Sequence, residues 1–319
     1  MNGNATIFLG GLAALAALAL GAFILPSWAM FLITIALAKG LVALGIVTMM
    51  RAGLVSFGQG LYYCIGAYVA ALVASATGLT DIFLLSMLAM VIAIVIGSLL
   101  GPLLAGYRGI FFAMLTLSLS MILYGSLAKL TPLGGTDGMN VAAATFLGWA
   151  PEGRSLQVGL FLFSGVVATI AGAVLRRHFD SEQGLLALAT RSNELRVEFL
   201  GASVRGLVAR SYTIGGALGA LGGTIAAVSI GHVDPEFAYW TSSGEFVFIA
   251  ILAGYLSIPA VFVSAVILEL VRSFSNLYFP NTWQMALGIF LLAVIVLLPN
   301  GLGSLVSARR RAASPAVIR

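Results

Sequence analysis

Apolar residues run along this chain in blocks of about twenty, separated by short polar breaks rich in glycine and proline. A helix rises about 1.5 Å per residue, so about 20 apolar residues cross the hydrocarbon layer of a bilayer. On that length rule, spans are expected near residues 6–24, 28–50, 57–77, 82–105, 109–129, 157–175, 208–230, 259–277 and 283–300. A shorter apolar stretch, 244–255, precedes the eighth span. It is too short to cross alone and reads as a half-helix or re-entrant segment. The predicted fold class is all-α: a polytopic integral membrane protein of about nine spanning helices plus one half-helix, with pseudo-symmetric halves. Residues 1–319 read as one transmembrane domain, with a first helix and short outer turn over 1–27, a polar loop over 181–207 and a basic tail over 303–319. The first apolar run lacks basic residues ahead of it, and Pro26 leads almost directly into another span. It therefore reads as a retained helix and not as a signal peptide.

Composition sharpens this picture. Hydrophobic residues make up 61% of the chain and charged residues only 8%, against about 25% charged in an ordinary soluble chain. So few charges cannot cover a core in water, which argues against a soluble enzyme, a nucleic-acid-binding domain or a disordered protein. One cysteine, Cys64, cannot form an intrachain disulfide, and two distant histidines, His178 and His232, cannot make a histidine-rich metal site. No metal site is expected. The net charge of +5 matters through its placement. Arg51, Arg108, the loop arginines 176, 177, 191, 196, 205 and 210, and tail arginines 309, 310, 311 and 319 fall on one side of the alternating spans, twelve of the sixteen basic residues. The positive-inside rule makes that side cytoplasmic, with both termini inside. The parity closes only if 244–255 reaches inward and the chain turns back near Pro259. The outer loops are then 131–156, 231–243 and 276–282.

Two stretches echo one another: Gly53-Leu54-Val55-Ser56-Phe57-Gly58-Gln59-Gly60 and Gly254-Tyr255-Leu256-Ser257-Ile258-Pro259. Each places Ser three residues after Gly and a helix breaker two residues after Ser. Matching breakers in two halves point to a translocation site, because unwound backbone at membrane depth must face protein or water. Gly215, Gly219 and Gly223 recur at i, i+4 and i+8, a face suited to tight helix packing. In the polar loop, Arg191, Leu195 and Phe199 form an i, i+4, i+8 row, and Leu188, Leu195 and Phe199 an apolar stripe, on a short helix that Gly201 ends. Such a helix either lies on the membrane surface or inserts into a groove on a soluble partner. No G-x-x-x-x-G-K-[ST] loop occurs, so ATP hydrolysis, if used, belongs to another chain.

The run Arg191-Ser192-Asn193-Glu194-Leu195-Arg196-Val197-Glu198-Phe199-Leu200-Gly201 resembles the cytoplasmic loop of the branched-chain amino acid ABC transporter permease family, LivM-type subunit, which typically reads R-D-N-E and closes on L-G. Gly53–Gly60 resembles that family's G-x-x-S-x-G element, Phe112–Leu117 its F-A-M-x-T-L span and Leu133–Gly138 its T-G-G-x-D-G loop. Gly216–Gly223 resembles its G-A-L-A-G-L-A-G helix, and Pro299–Leu302 its closing P-x-G-L. The resemblance covers about residues 30–304 and lies in the order of the motifs. It implies a subunit of an importer in the bacterial inner membrane, paired with a homologous, LivH-like permease. Two ATP-binding subunits would hold ATP and Mg, this chain itself binding no cofactor, and a periplasmic substrate-binding protein would deliver the solute. By carry-over, Arg191, Asn193, Glu194, Leu195, Arg196, Glu198, Phe199 and Gly201 would couple to the ATPases. Two departures bear on the solute. Ser192 stands where the family usually has Asp, and Ala253–Pro259 stands where it usually has G-G-x-G. A branched-chain amino acid is expected, with urea, a short amide or a small carboxylate as the alternatives that relatives move.

The pathway is expected to be lined by Lys39, Ser56, Gln59, Thr116, Glu245, Gly254 and Ser257. Lys39 sits within a span, where a charge costs about 2.5–3.5 kcal/mol, and so meets a carboxylate of the solute or of the chain itself. Glu245, with Ser242 and Ser243, suits a helix start, and Glu269 and Arg272 suit an i, i+3 pair. Asp137, Asp234, Glu236 and His232 belong to outer loops. An ion-coupled secondary transporter acting alone is the competing reading; its signature is acids at the midplane of broken helices, whereas these acids read as lying at span ends. An intramembrane enzyme would need a nucleophile and base on facing helices, and Cys64 has no histidine near it in sequence.

Overall fold

The structure is a computed structural model and describes residues 3–297 and 301–304. Its helices follow in the order α1 (Gly3–Ile24), α2 (Ser27–Arg51), α3 (Gln59–Thr77), α4 (Ile82–Leu104), α5 (Gly109–Lys129), α6 (Arg154–Phe179), α7 (Glu182–Ser192), α8 (Glu194–Phe199), α9 (Val204–Ile230), α10 (Trp240–Ala253), α11 (Ile258–Tyr278) and α12 (Trp283–Leu297). Among the described residues, α2, α3, α4, α5, α6, α9 and α11 are long and apolar enough to cross a bilayer. These seven match expected spans within a few residues at each end, while α1 and α12 lie where the first and ninth spans were expected but offer only shorter apolar stretches among the described residues, Leu15–Ile24 and Trp283–Val294. The half-helix is α10, whose 14 residues reach only about 21 Å. It begins at Trp240, earlier than expected, because a single turn over Pro235–Ala238 delivers the chain directly into it. Pro299, Asn300 and the tail from residue 305, with its four arginines, lie outside the described residues.

The packing inverts the rule of soluble helices. In α4 the buried stripe is Leu85, Ala89, Ala93, Gly97 and Gly101, spaced by four, while Leu84, Met87, Val91, Val95, Leu99 and Leu103 point outward. Small residues face protein and large apolar ones face outward, as lipid-embedded helices require. The stripe packs on α9, where a side chain on Gly97 would meet the backbone of Thr213 and one on Gly101 that of Ala209. The α9 helix is the axis of the fold, flanked by α2, α3 and α4. Its expected glycine face is used as expected: Gly215, Gly219 and Gly223 lie against Gln59, Tyr62 and Tyr63 of α3. Helix α2 is buried along nearly its whole length between α9, α6, α10 and α11.

At the loop end, β1 (Met139–Asn140) pairs antiparallel with β2 (His232–Val233) and ties two of the expected outer loops together. His232 lies 3.2 Å from the Asn140 side chain there. At the other end are Arg51 in the last turn of α2, Arg176 and Arg177 in the last turn of α6, and Arg108 just before α5, together with α7 and α8.

Candidate functional site

Helix α2 ends where Gly53 adopts φ +81°, a left-handed turn suited to glycine. The chain then runs non-helically to Gln59. Helix α9 serves as a depth scale. Thr48, near the end of α2, bonds the Ser211 carbonyl at 3.3 Å, but the Gln59 amide lies against Gly215 and Gly219, in the middle of α9. Residues 53–58 therefore climb back into the molecule before α3 starts. Backbone at that depth needs protein partners, and it finds hydroxyls. Thr116 accepts from the Phe57 amide at 3.2 Å, Ser56 from Gly58 at 3.2 Å, and Ser243 from Gly60 at 3.1 Å. Ser120 donates to the Ala238 carbonyl at 2.7 Å, closing the turn before α10 onto α5. Ser56, Thr116 and Gln59 are all fully buried. Both amide atoms of Gln59 lack a hydrogen-bond partner. The Tyr62 and Tyr212 rings meet edge-on nearby, with centroids 5.5 Å apart.

The second interruption has the same opening and a different support. Gly254 ends α10 at φ +72°, and α11 restarts at Ile258 with Pro259 in its first turn. Ser257 makes no capping hydrogen bond from its side chain, whereas Ser56 accepts from the Gly58 amide within its own interruption. Glycine backbone fills the space instead: a Cβ on Gly301 would sit 2.7 Å from the Gly254 nitrogen, and one on Gly303 2.9 Å from the Ala253 carbonyl. The closing G-L element thus packs beneath the break.

Lys39 is held by the chain's own acids. Its Nζ lies 2.8 Å from Glu269 Oε2 and 3.0 Å from Glu245 Oε2. Arg272 completes the cluster, with Nε 3.4 Å from Glu245 and Nη1 3.8 Å from Glu269. Two cations and two anions from α2, α10 and α11 balance, as burial demands. The carbonyl of Ala38 faces Gly222, which puts Lys39 about 6–8 Å along α9 from its middle. Two expectations need correction here. Glu245 does not open its helix; α10 starts at Trp240, so the glutamate lies beyond the first-turn N–H groups. Ser243 is turned to Gly60, and Ser242 donates to the Glu236 carbonyl at 2.9 Å. Nor do all acids lie at span ends, since Glu245 and Glu269 are among the deeper side chains; their partner is more than 200 residues away in sequence, beyond the reach of local pattern.

The polar loop forms two helices, not one. Asn193 leaves helical geometry at φ −162°, ψ 107° and caps α8, accepting from the Arg196 amide at 3.0 Å. The row Arg191, Leu195, Phe199 is therefore split, with Arg191 on α7 and the other two on α8. Val197 is buried, and Glu194 is paired with Arg108 at 2.7 Å. Leu195, Phe199 and Leu200 are 65, 88 and 76% exposed, while Arg196 and Glu198 are also exposed. Gly201 takes φ +84° just after α8. Arg191 turns the other way, its guanidinium 3.8 Å over the Tyr255 ring. The sequence placed Arg108 on the cytoplasmic side and Tyr255 in the second interruption but showed neither one's partner, Glu194 or Arg191. Asn followed by Glu was a capping signal that would have revealed the split at Asn193.

Residues 28–297 match the family described as branched-chain amino acid transport system, permease component. Over 277 residues the chain is 27% identical to the high-affinity branched-chain amino acid transport system permease protein LivM of Escherichia coli K12, covering 78% of this chain and 64% of that protein. The same values hold for the protein of that name from Salmonella typhimurium LT2. The chain thus spans less than two-thirds of the length of these curated relatives. No solved structure matches significantly.

Proposed function

This chain belongs to the permease family of branched-chain amino acid transport systems, and from that premise we propose that it is a transmembrane subunit of an ABC importer in the bacterial inner membrane. It forms the pathway with a second, homologous permease. Two ATP-binding subunits power it, and a periplasmic binding protein feeds it. The solute is amino acid-like, a branched-chain amino acid first, with urea, a short amide or a small carboxylate next. The end bearing α7, α8 and the arginine-rich connections faces the cytoplasm.

The observation that carries this reading is α8. A six-residue helix is anchored to the bundle by Val197 and Glu194 and leaves Leu195, Phe199 and Leu200 standing free. A fixed helix with exposed apolar residues is what a groove on a motor subunit would grip. Reconstitution tests it: ATP-dependent uptake requires this chain, its permease partner, the ATPases and the binding protein together. Leu195→Asp and Phe199→Asp each release the ATPase on co-purification. Retained docking in both would refute the coupling role.

One observation favours a second reading, an ion-coupled transporter acting alone. Glu245, on the half-helix, is buried with Lys39 and Glu269 inside the bundle. Two cations neutralise the two acids, so neither carboxylate of this cluster is left over to carry a coupled ion, and this reading stays second. Uptake by this chain alone, driven by an ion gradient, would reverse that order.

A further inference from the structure

Arg191 touches both interruptions of the helical bundle at once. Its Cα would lie 3.3 Å from a Cβ placed on Gly53, so the end of α7 rests directly on the first left-handed turn. Its guanidinium lies 3.8 Å above the Tyr255 ring, in the middle of the second. Only Ser192 separates it from Asn193, the residue that caps α8. Arg191 makes no ion pair among the described residues. The ring is thus the partner of its charge, and a planar guanidinium stacks on an aromatic face where an ammonium does not. Gly53 is constrained twice, by its positive φ and by the helix above it.

We propose that Arg191 is a positioning residue that joins the α7–α8 pair to both interrupted segments, so that displacement of α8 by a motor subunit moves the Gly53 and Tyr255 turns together. This rests on the reading of the chain as an ATP-driven importer subunit. It assigns Arg191, itself exposed, a role through its contact with the Tyr255 ring, distinct from that of Leu195 and Phe199.

The test uses the complete complex in proteoliposomes, with leucine, then urea and a short amide, as probes. It reads solute imported per ATP hydrolysed, with co-purification of all subunits as the check on assembly. Arg191→Gln and Tyr255→Leu each lower that ratio roughly two- to fivefold, while assembly and ATP hydrolysis persist. The double variant falls no further than the lower single, because both changes remove one contact. Tyr255→Phe keeps the ring face and retains the parental ratio. Parental ratios in Arg191→Gln and Tyr255→Leu overturn the proposal. So does an additive loss in the double variant, or loss of assembly in the singles, which would make the contact merely structural. An unmutated complex that imports none of the probes on ATP refutes the importer reading itself, and this proposal with it, before any variant is compared.

Discussion

Replacing Lys39 with methionine tests whether the charged cluster is held by internal balance. In the native protein one ammonium faces two carboxylates at 2.8 and 3.0 Å, and the Lys39, Glu245 and Glu269 side chains are only 7, 13 and 14% exposed. Methionine fills a similar volume but leaves two acids facing Arg272 alone, at 3.4 and 3.8 Å. Removing one partner of a buried ion pair costs about 3–5 kcal/mol, mostly the desolvation of the charge left behind. Arg272 compensates in part, being 37% exposed and within reach of both acids, so the low end, about 3 kcal/mol, is expected. Adding Glu269→Gln restores one cation to one anion and recovers more than half of the loss. Equilibrium unfolding of the purified protein in mixed micelles of increasing SDS, followed by tryptophan fluorescence, measures both changes. A Lys39→Met protein as stable as its parent, or a double variant less stable than the single, would refute the reasoning. Solute preference of the assembled complex should not change, because Lys39 is already engaged by Glu245 and Glu269.

Gln59→Leu removes a buried amide with no partner at either atom and is expected to leave stability unchanged or raise it by about 1 kcal/mol. If Gln59 lines the pathway, uptake falls while ATPase docking persists, and normal uptake would remove it from the pathway. Gly66→Val drives a side chain into the Ala220 backbone of α9 and costs roughly 1–3 kcal/mol or more. Gly125→Ala, with open space around the new methyl, should be neutral or stabilising by up to about 1 kcal/mol; SDS titration compares the two. Arg108→Ala breaks a pair whose side chains are 32 and 40% exposed, so the same titration should show a loss below about 1 kcal/mol.

The spans were legible because membrane thickness and helix rise fix their length, and nothing else in the chain competes with that signal. The α9 glycine face was legible for the same reason, since periodicity and residue size are local. What escaped was contact across the chain. Lys39 announced that it needed an acid, and only three-dimensional packing could bring Glu245 and Glu269 to it. Ser243 looked like a helix cap because the residues around it are helix-start residues; its hydroxyl instead serves the Gly60 amide, 183 positions away. The split at Asn193 was different, because the Asn-Glu signal was present and the longer apolar row masked it.

Lipid offers no hydrogen bonds, so each buried polar group in the middle of the bundle has to find a partner within the protein. That rule sorts the seven expected pathway residues by what they are already doing. Ser56 and Thr116 are engaged by the backbone amides of the first interruption. Lys39 and Glu245 neutralise one another within a four-charge cluster. Gly254 and Ser257 shape the second interruption, where the backbone of Gly301 and Gly303 presses close. Gln59 differs from the rest: it is fully buried, level with the middle of α9, directly after an interruption, and both its donor and its acceptor are idle. An idle amide in lipid-depth protein carries a cost that packing alone gives no reason to keep. Of the seven, Gln59 is therefore the residue whose expected place in the pathway the Gln59→Leu uptake assay tests most directly.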